Sequence, residues 1–171
     1  MMTYEERKEK FFCALDELNS GERVALRRAA GTRLADANGR ALQAFFKCLP
    51  RDIGLAQEEK WYAAACFHCM WEETDREALT QILKTFLLDE SVSNSTRQRI
   101  VHILDQKWDE DGFLLTKLGR FLKMVKQRGG AVDCSALLDD FLAWNREDQK
   151  VQRKWAKIFS EVDGEKNLKK E

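Results

Sequence analysis

The stretch Phe113-Leu114-Leu115-Thr116-Lys117-Leu118-Gly119-Arg120-Phe121-Leu122-Lys123-Met124-Val125-Lys126-Gln127-Arg128 decides the fold class. At about 100° per residue, Leu114, Leu115, Leu118, Phe121, Leu122 and Val125 gather in one sector of the helical wheel. Lys117, Arg120, Lys123, Lys126 and Arg128 fall outside that sector, and no acidic residue interrupts them. Apolar residues at steps of three and four make a helix with one face for a core. Gly129-Gly130 then closes it. Gly119 lies at the margin of the basic face, where a missing side chain lets another backbone come close.

The same period recurs on both sides. Residues 4–18 carry Phe11, Phe12, Leu15 and Leu18 at helical spacing, with Asn19-Ser20-Gly21 expected to close that helix. A short helix is expected from Glu22 to Ala30, ended by Gly31. Another runs from about Gly39 to Leu49, with Leu42, Phe45, Phe46 and Leu49 on its stripe, and Pro50 stops it. Residues 57–72 read as a largely buried helix through Trp61, Ala64, Ala65, His68 and Trp71. Residues 76–88 add Leu79, Ile82, Leu83, Phe86 and Leu87. Ser95-Thr96-Arg97-Gln98 fits a capping box and opens a helix over 96–106. Asp133 suits the N-cap of a last helix reaching about Glu161, bent over the polar stretch 145–149 and fraying from Asp163.

One proline, nine glycines and no alternating β-branched runs leave little room for strands. The expectation is an all-α chain of two small helical bundles packed together. The polar, aperiodic segment Asp89-Glu90-Ser91-Val92-Ser93-Asn94 divides them, giving an N-terminal bundle over 1–90 and a C-terminal one over 91–171. Trp61, Phe86, Phe121, Phe141, Trp144 and Trp155 are its expected buried anchors.

Composition excludes two classes. An apolar fraction of 44% and a charged fraction of 34% are too apolar for disorder and too charged for a membrane protein. The longest nearly apolar run, Trp61 to Trp71, is far short of the roughly 20 residues a membrane span needs. Met1-Met2-Thr3-Tyr4-Glu5-Glu6 has neither a basic n-region nor an apolar h-region, so no secretory route is expected. Five cysteines without such a leader fit a reducing, cytoplasmic setting. Most of them read as small buried hydrophobes.

The catalytic inventory is thin. His68 lies on a buried stripe between Cys66 and Cys69, and a hydrogen-bonded core histidine is the favoured reading. One CxxC, with Cys48, Cys134 and His102 scattered elsewhere, lacks the second ligand pair of a structural zinc site. A thiol or metal enzyme built on Cys66, His68 and Cys69 ranks far below a binding protein. Asp109-Glu110-Asp111 reads as a solvated loop, and phosphate-loop and dinucleotide fingerprints are absent. No catalytic residue, cofactor or metal is expected.

Charge is more informative. The 29 basic and 29 acidic residues cancel, but not locally. Residues 22–51 hold seven basic and two acidic side chains, residues 52–96 three and nine, and residues 97–128 eight and four. Two basic segments flank an acidic one, a pattern that steers a polyanion. Arg23, Arg27 and Arg28 supply one cluster, with Arg33 and Arg40 following. Arg97 and Arg99 sit at the start of their helix. Aromatic residues lie on the apolar stripes rather than among the basic ones, which favours backbone contact over base stacking. The residues expected to touch nucleic-acid backbone are Arg27, Arg28, Arg97, Arg99, Lys117, Arg120, Lys123 and Lys126.

Several motifs also resemble a known family. Gly21-Glu22-Arg23-Val24-Ala25-Leu26-Arg27-Arg28-Ala29 resembles the early Leu-Arg-Arg-Ala signature of the CasB family, the small subunit of the type I-E CRISPR Cascade complex. Ala44-Phe45-Phe46-Lys47-Cys48-Leu49-Pro50 is similar to the aromatic and Leu-Pro element that follows it. Arg97-Gln98-Arg99-Ile100-Val101-His102-Ile103-Leu104 resembles its Arg-rich helix start, and Gly119-Arg120-Phe121-Leu122-Lys123 the basic stretch before a loop. Val132-Asp133-Cys134-Ser135-Ala136-Leu137-Leu138-Asp139-Asp140 resembles its Val-Asp-Trp segment, with Cys134 where an aromatic is usual. Trp144, Val151-Gln152-Arg153-Lys154-Trp155-Ala156 and Phe159 resemble its final helix. The likeness spans about residues 10–160 and is weak over 68–95.

That resemblance implies a non-catalytic nucleic-acid-binding subunit of an antiviral, RNA-guided complex. It implies as partners the guide (CRISPR) RNA, target DNA including the displaced non-target strand, other Cascade subunits and a second copy of the chain, without a membrane. In such a complex base pairing reads sequence, and protein subunits need only grip backbone. The competing expectation is a helical protein–protein adaptor whose basic residues are solubilising surface.

Overall fold

Helix starts follow local capping chemistry. The computed structural model describes residues 1–72 and 75–169. In α1 (Tyr4–Asp16) the Thr3 hydroxyl accepts the Glu6 N–H, and the Glu6 carboxylate takes the Thr3 N–H at 2.7 Å. Asn19 and Glu22 repeat that exchange for α2 (Ser20–Arg28). The segment expected to close the first helix therefore opens the second, because Asn followed three residues later by Glu is a capping pair. Gly31, at φ +84°, turns the chain away from α2 into a single 3-10 turn, Leu34–Asp36.

In α3 (Gly39–Cys48) the buried stripe is Ala41, Ala44, Phe45 and Cys48. Phe46 was expected on that stripe. It is one residue, about 100°, off it and stays 47% exposed. α4 (Leu55–His68) is buried over every residue from Trp61 to His68, the mark of a helix surrounded by others. It packs against α2, α7 (Phe113–Gln127) and α8 (Cys134–Ala143), while α5 (Leu79–Leu88) packs on α9 (Lys150–Lys169). The anchors Trp61, Phe86, Phe121, Phe141, Trp144 and Trp155 are all buried.

The all-α class holds: the described residues contain nine α-helices and no strand. One isolated parallel bridge pairs Glu77 with Val132, through Glu77 N–H to Ala131 O and Asp133 N–H to Glu77 O, both 2.9 Å.

Three boundaries differ from expectation. α6 (Asn94–Ile103) is capped by Ser93, not Ser95, since the Ser93 hydroxyl reaches the Thr96 N–H. The single long C-terminal helix is two. Gln149, at φ 52°, breaks the helix between α8 and α9, and Asp148 accepts the Lys150 N–H at 3.1 Å. The tail does not fray at Asp163 but stays helical to Lys169. Val162 is buried, and Glu165 meets Lys84 of α5 at 3.2 Å.

The division expected after residue 90 falls in the turn between α5 and α6. The two sides are packed across it, α4 on α8 and α5 on α9, over one continuous hydrophobic cluster. A charged pin also crosses it. Lys8 is buried, and its Nζ lies 2.9 Å from Asp139 and 3.2 Å from Glu5. Burial opposes the Lys8 charge, but the bonds with Asp139 and Glu5 outweigh it and hold its pKa above the ordinary lysine value.

Candidate nucleic-acid interface

α6 and α7 pack on each other, and this pairing brings Arg99 together with Lys117 and Arg120. Arg99 from α6 and Lys117 and Arg120 from α7 line one cleft of about 310 Å3. Ile100, Ile103, Phe121 and Met124 give that cleft an apolar lining, with His102 beside them. Farther along α7, Lys123 and Lys126 are exposed. The amphipathic period explains the division: Leu114, Leu115, Leu118, Phe121, Leu122 and Val125 are all buried, which forces the basic side outward.

Two glycines bring the other basic cluster to this helix. A Cβ built on Gly119 would stand 3.0 Å from the Cα of Gly31. Built on Gly31, it would stand 3.3 Å from both the Gly119 Cα and the Leu115 carbonyl. The turn after α2 thus rests backbone to backbone on the middle of α7. Arg27 and Arg28, both exposed, leave the chain about one turn before that contact, and Arg120 leaves it immediately after. A clasp reinforces the approach. The Arg33 stem lies against Gly112 at the start of α7, and its guanidinium donates to the Glu110 carbonyl.

Charge pairing separates the eight expected residues. Among the described residues, Arg27, Arg28, Arg99, Lys117, Arg120, Lys123 and Lys126 have no carboxylate partner within ion-pair distance. Arg97 behaves differently. Its guanidinium donates to the carbonyls of Leu87, Asp89 (2.6 Å) and Val92 (3.3 Å), closing the end of α5 and the turn after it. Arg128, at the end of α7, meets Asp89 at 2.5 Å and lies over the Phe86 ring. Sequence reading did not anticipate the apolar cleft between Arg99 and Arg120. Its signal was Ile100 and Ile103 adjoining Arg99, which required knowing that α6 pairs with α7.

The Cys66–His68–Cys69 segment sits elsewhere, in the core. His68 Nε2 lies 2.7 Å from Asp16, and Arg76 donates to His68 Nδ1 at 2.7 Å. That leaves the proton on Nε2 and the ring neutral. Burial first, and Arg76 second, lower its pKa. Burial pushes the Cys69 thiol up to about 12 and raises Cys66 and Cys134 further. These thiols are poor nucleophiles. Among the described residues no group of three His, Cys, Asp or Glu side chains could hold a metal ion, and no helix is long and apolar enough to cross a membrane.

A family model for CRISPR-associated protein Cse2 matches residues 22–159. The chain belongs to the Cse2 family. The fold of this Cse2-family chain is similar to the crystal structure of CasB from M. ruber, with a TM-score of 0.72, 21% identity, and 95% and 97% of the two chains covered. A Cse2-family protein from Thermus thermophilus superposes with a TM-score of 0.70 at 23% identity, covering 90% and 97%. A chain from a CRISPR RNA-guided surveillance complex gives 0.72 at 20% identity, covering 96% and 98%. A sequence comparison with curated proteins returned no match.

Proposed function

We propose that this Cse2-family chain is a non-catalytic subunit of a type I-E, Cascade-like RNA-guided surveillance complex, working in the cytoplasm in antiviral defence. Its task is to hold nucleic-acid backbone. Guide RNA and target DNA, including the displaced strand, run along its basic face, and other complex subunits and a second copy of the chain pack around it. The observation that carries this reading is the set of seven basic side chains without carboxylate partners among the described residues, gathered by the α6–α7 pairing and the Gly31–Gly119 contact. An ordinary solvated face mixes signs, whereas this one leaves its cations free for phosphates. Forming an R-loop is close to energetically balanced, so modest backbone contacts suffice to tip it.

The test is binding of the purified chain to unrelated single-stranded DNA sequences across a salt series. Affinity should be independent of sequence and fall with a log–log slope of roughly −0.7 per phosphate contact. Replacing Arg120, Lys123 and Lys126 together by Ala should weaken binding about a hundredfold, taking about 1 kcal/mol for each screened contact and additive effects. It should also make the salt slope shallower. Unchanged, salt-insensitive behaviour would return the chain to the adaptor reading.

A further inference from the structure

The cleft between α6 and α7 differs from the rest of the basic surface in its chemistry. Its interior is apolar, built from Ile100, Ile103, Phe121 and Met124. Arg99, Lys117 and Arg120 also line it, and none has a carboxylate partner among the described residues. A solvated phosphate has no use for an apolar recess, and an apolar side chain has no use for three cations. One chemical group combines both needs: a nucleotide, with a flat, largely apolar face and an anionic link on either side. At about 310 Å3 the cleft stands at the small end of the ~300–1,000 Å3 typical of small-molecule pockets. That suits one base better than the several side chains of a peptide helix.

We propose that this cleft takes the base of a single unstacked nucleotide while Arg99, Lys117 and Arg120 hold the neighbouring phosphates. The proposal rests on the nucleic-acid reading above and deepens it. The base leaves its stack and enters against Met124 and Ile103, and no sequence preference follows, because every base presents such a face. The preference for backbone contact over base stacking rests on aromatic residues lying on the apolar stripes rather than among the basic ones. Here Phe121 and the aliphatic side chains of Ile100, Ile103 and Met124, from two adjacent helices, do that work.

The test compares an ordinary single-stranded oligodeoxynucleotide with an abasic oligomer of the same length, hence of the same charge. The unmodified chain should bind the ordinary oligomer about five- to 150-fold more tightly, the range for one stacked base, with equal salt slopes. Met124→Trp, which fills the cleft and leaves its cations in place, should bring the ordinary oligomer down to the abasic level and leave the abasic one unchanged. Equal, salt-dependent binding of both oligomers to the unmodified chain would overturn the base pocket and leave backbone gripping intact. Binding of neither would overturn both. If Met124→Trp leaves both oligomers untouched but prevents assembly with other complex subunits, the cleft holds a protein segment instead. The comparison on the unmodified chain decides the matter even if Met124→Trp fails to fold.

Discussion

Arg97 and Arg99 are two residues apart and look alike in the sequence, yet the fold uses them for different purposes. Successive side chains on a helix are separated by about 100°, so positions two apart diverge by about 200°. One guanidinium therefore turns back onto the carbonyls of Leu87, Asp89 and Val92, and the other faces α7. The Leu87 carbonyl lies in the last turn of α5, where helix geometry leaves acceptors without intrahelical partners, and those of Asp89 and Val92 lie in the turn after it. Arg97→Ala should lower stability by about 2 kcal/mol, the scale of hydrogen bonds from a charged donor, since two of the three are part-buried. Arg99→Ala should leave stability within about 0.5 kcal/mol, as for an exposed substitution. Denaturant titration of the two variants separates these roles.

Among the elements, α7 was the most legible. Its apolar and basic faces, its end near Gly129 and the close approach at Gly119 can be read from spacing. Two other elements were not legible, for physical reasons. The Gln149 turn depends on a left-handed residue of no special type, so α8 and α9 read as one stripe. The helicity beyond Asp163 depends on α5 lying alongside, a tertiary contact that stabilises an otherwise polar end. The two glycines on long helices permit a paired experiment. Ala at Gly119 gains about 1 kcal/mol of helix propensity but meets backbone at 3.0 Å, and overpacking costs about 1–3 kcal/mol. Net destabilisation of about 1 kcal/mol is expected. Gly164, in α9, has nothing within 4 Å of its Cβ position, so Gly164→Ala should stabilise by up to about 1 kcal/mol. Thermal unfolding that ranks these two the other way round would contradict the backbone contact.

For the whole molecule, class and core were open to sequence reading because hydrophobic period and anchor residues are local. The assembly of the basic face was not, since it depends on which helices pair. Acid response is another property of the whole fold, because His68 joins Asp16 of α1 to Arg76 ahead of α5. Burial and Arg76 hold its folded pKa below the ordinary value of about 6.5. The unfolded chain therefore takes up the proton first. The neutral ring's contribution is fully present above pH ~6.5 and is lost as pH falls through the folded value. The unfolding midpoint should be flat from pH 8 to 7 and decline below about 6.5, and His68→Gln should flatten that decline.

The meeting of Gly31 and Gly119 has a metrical consequence. Two groups of cations, about ninety residues apart in the sequence, are spaced by main chain alone, with no side-chain rotamer in the path between them. Such a contact acts as a gauge block. Side chains around it can swing, but the pitch at which α2 and α7 present their charges stays constant, so a strand held as proposed above would meet the same ruler each time it is laid down.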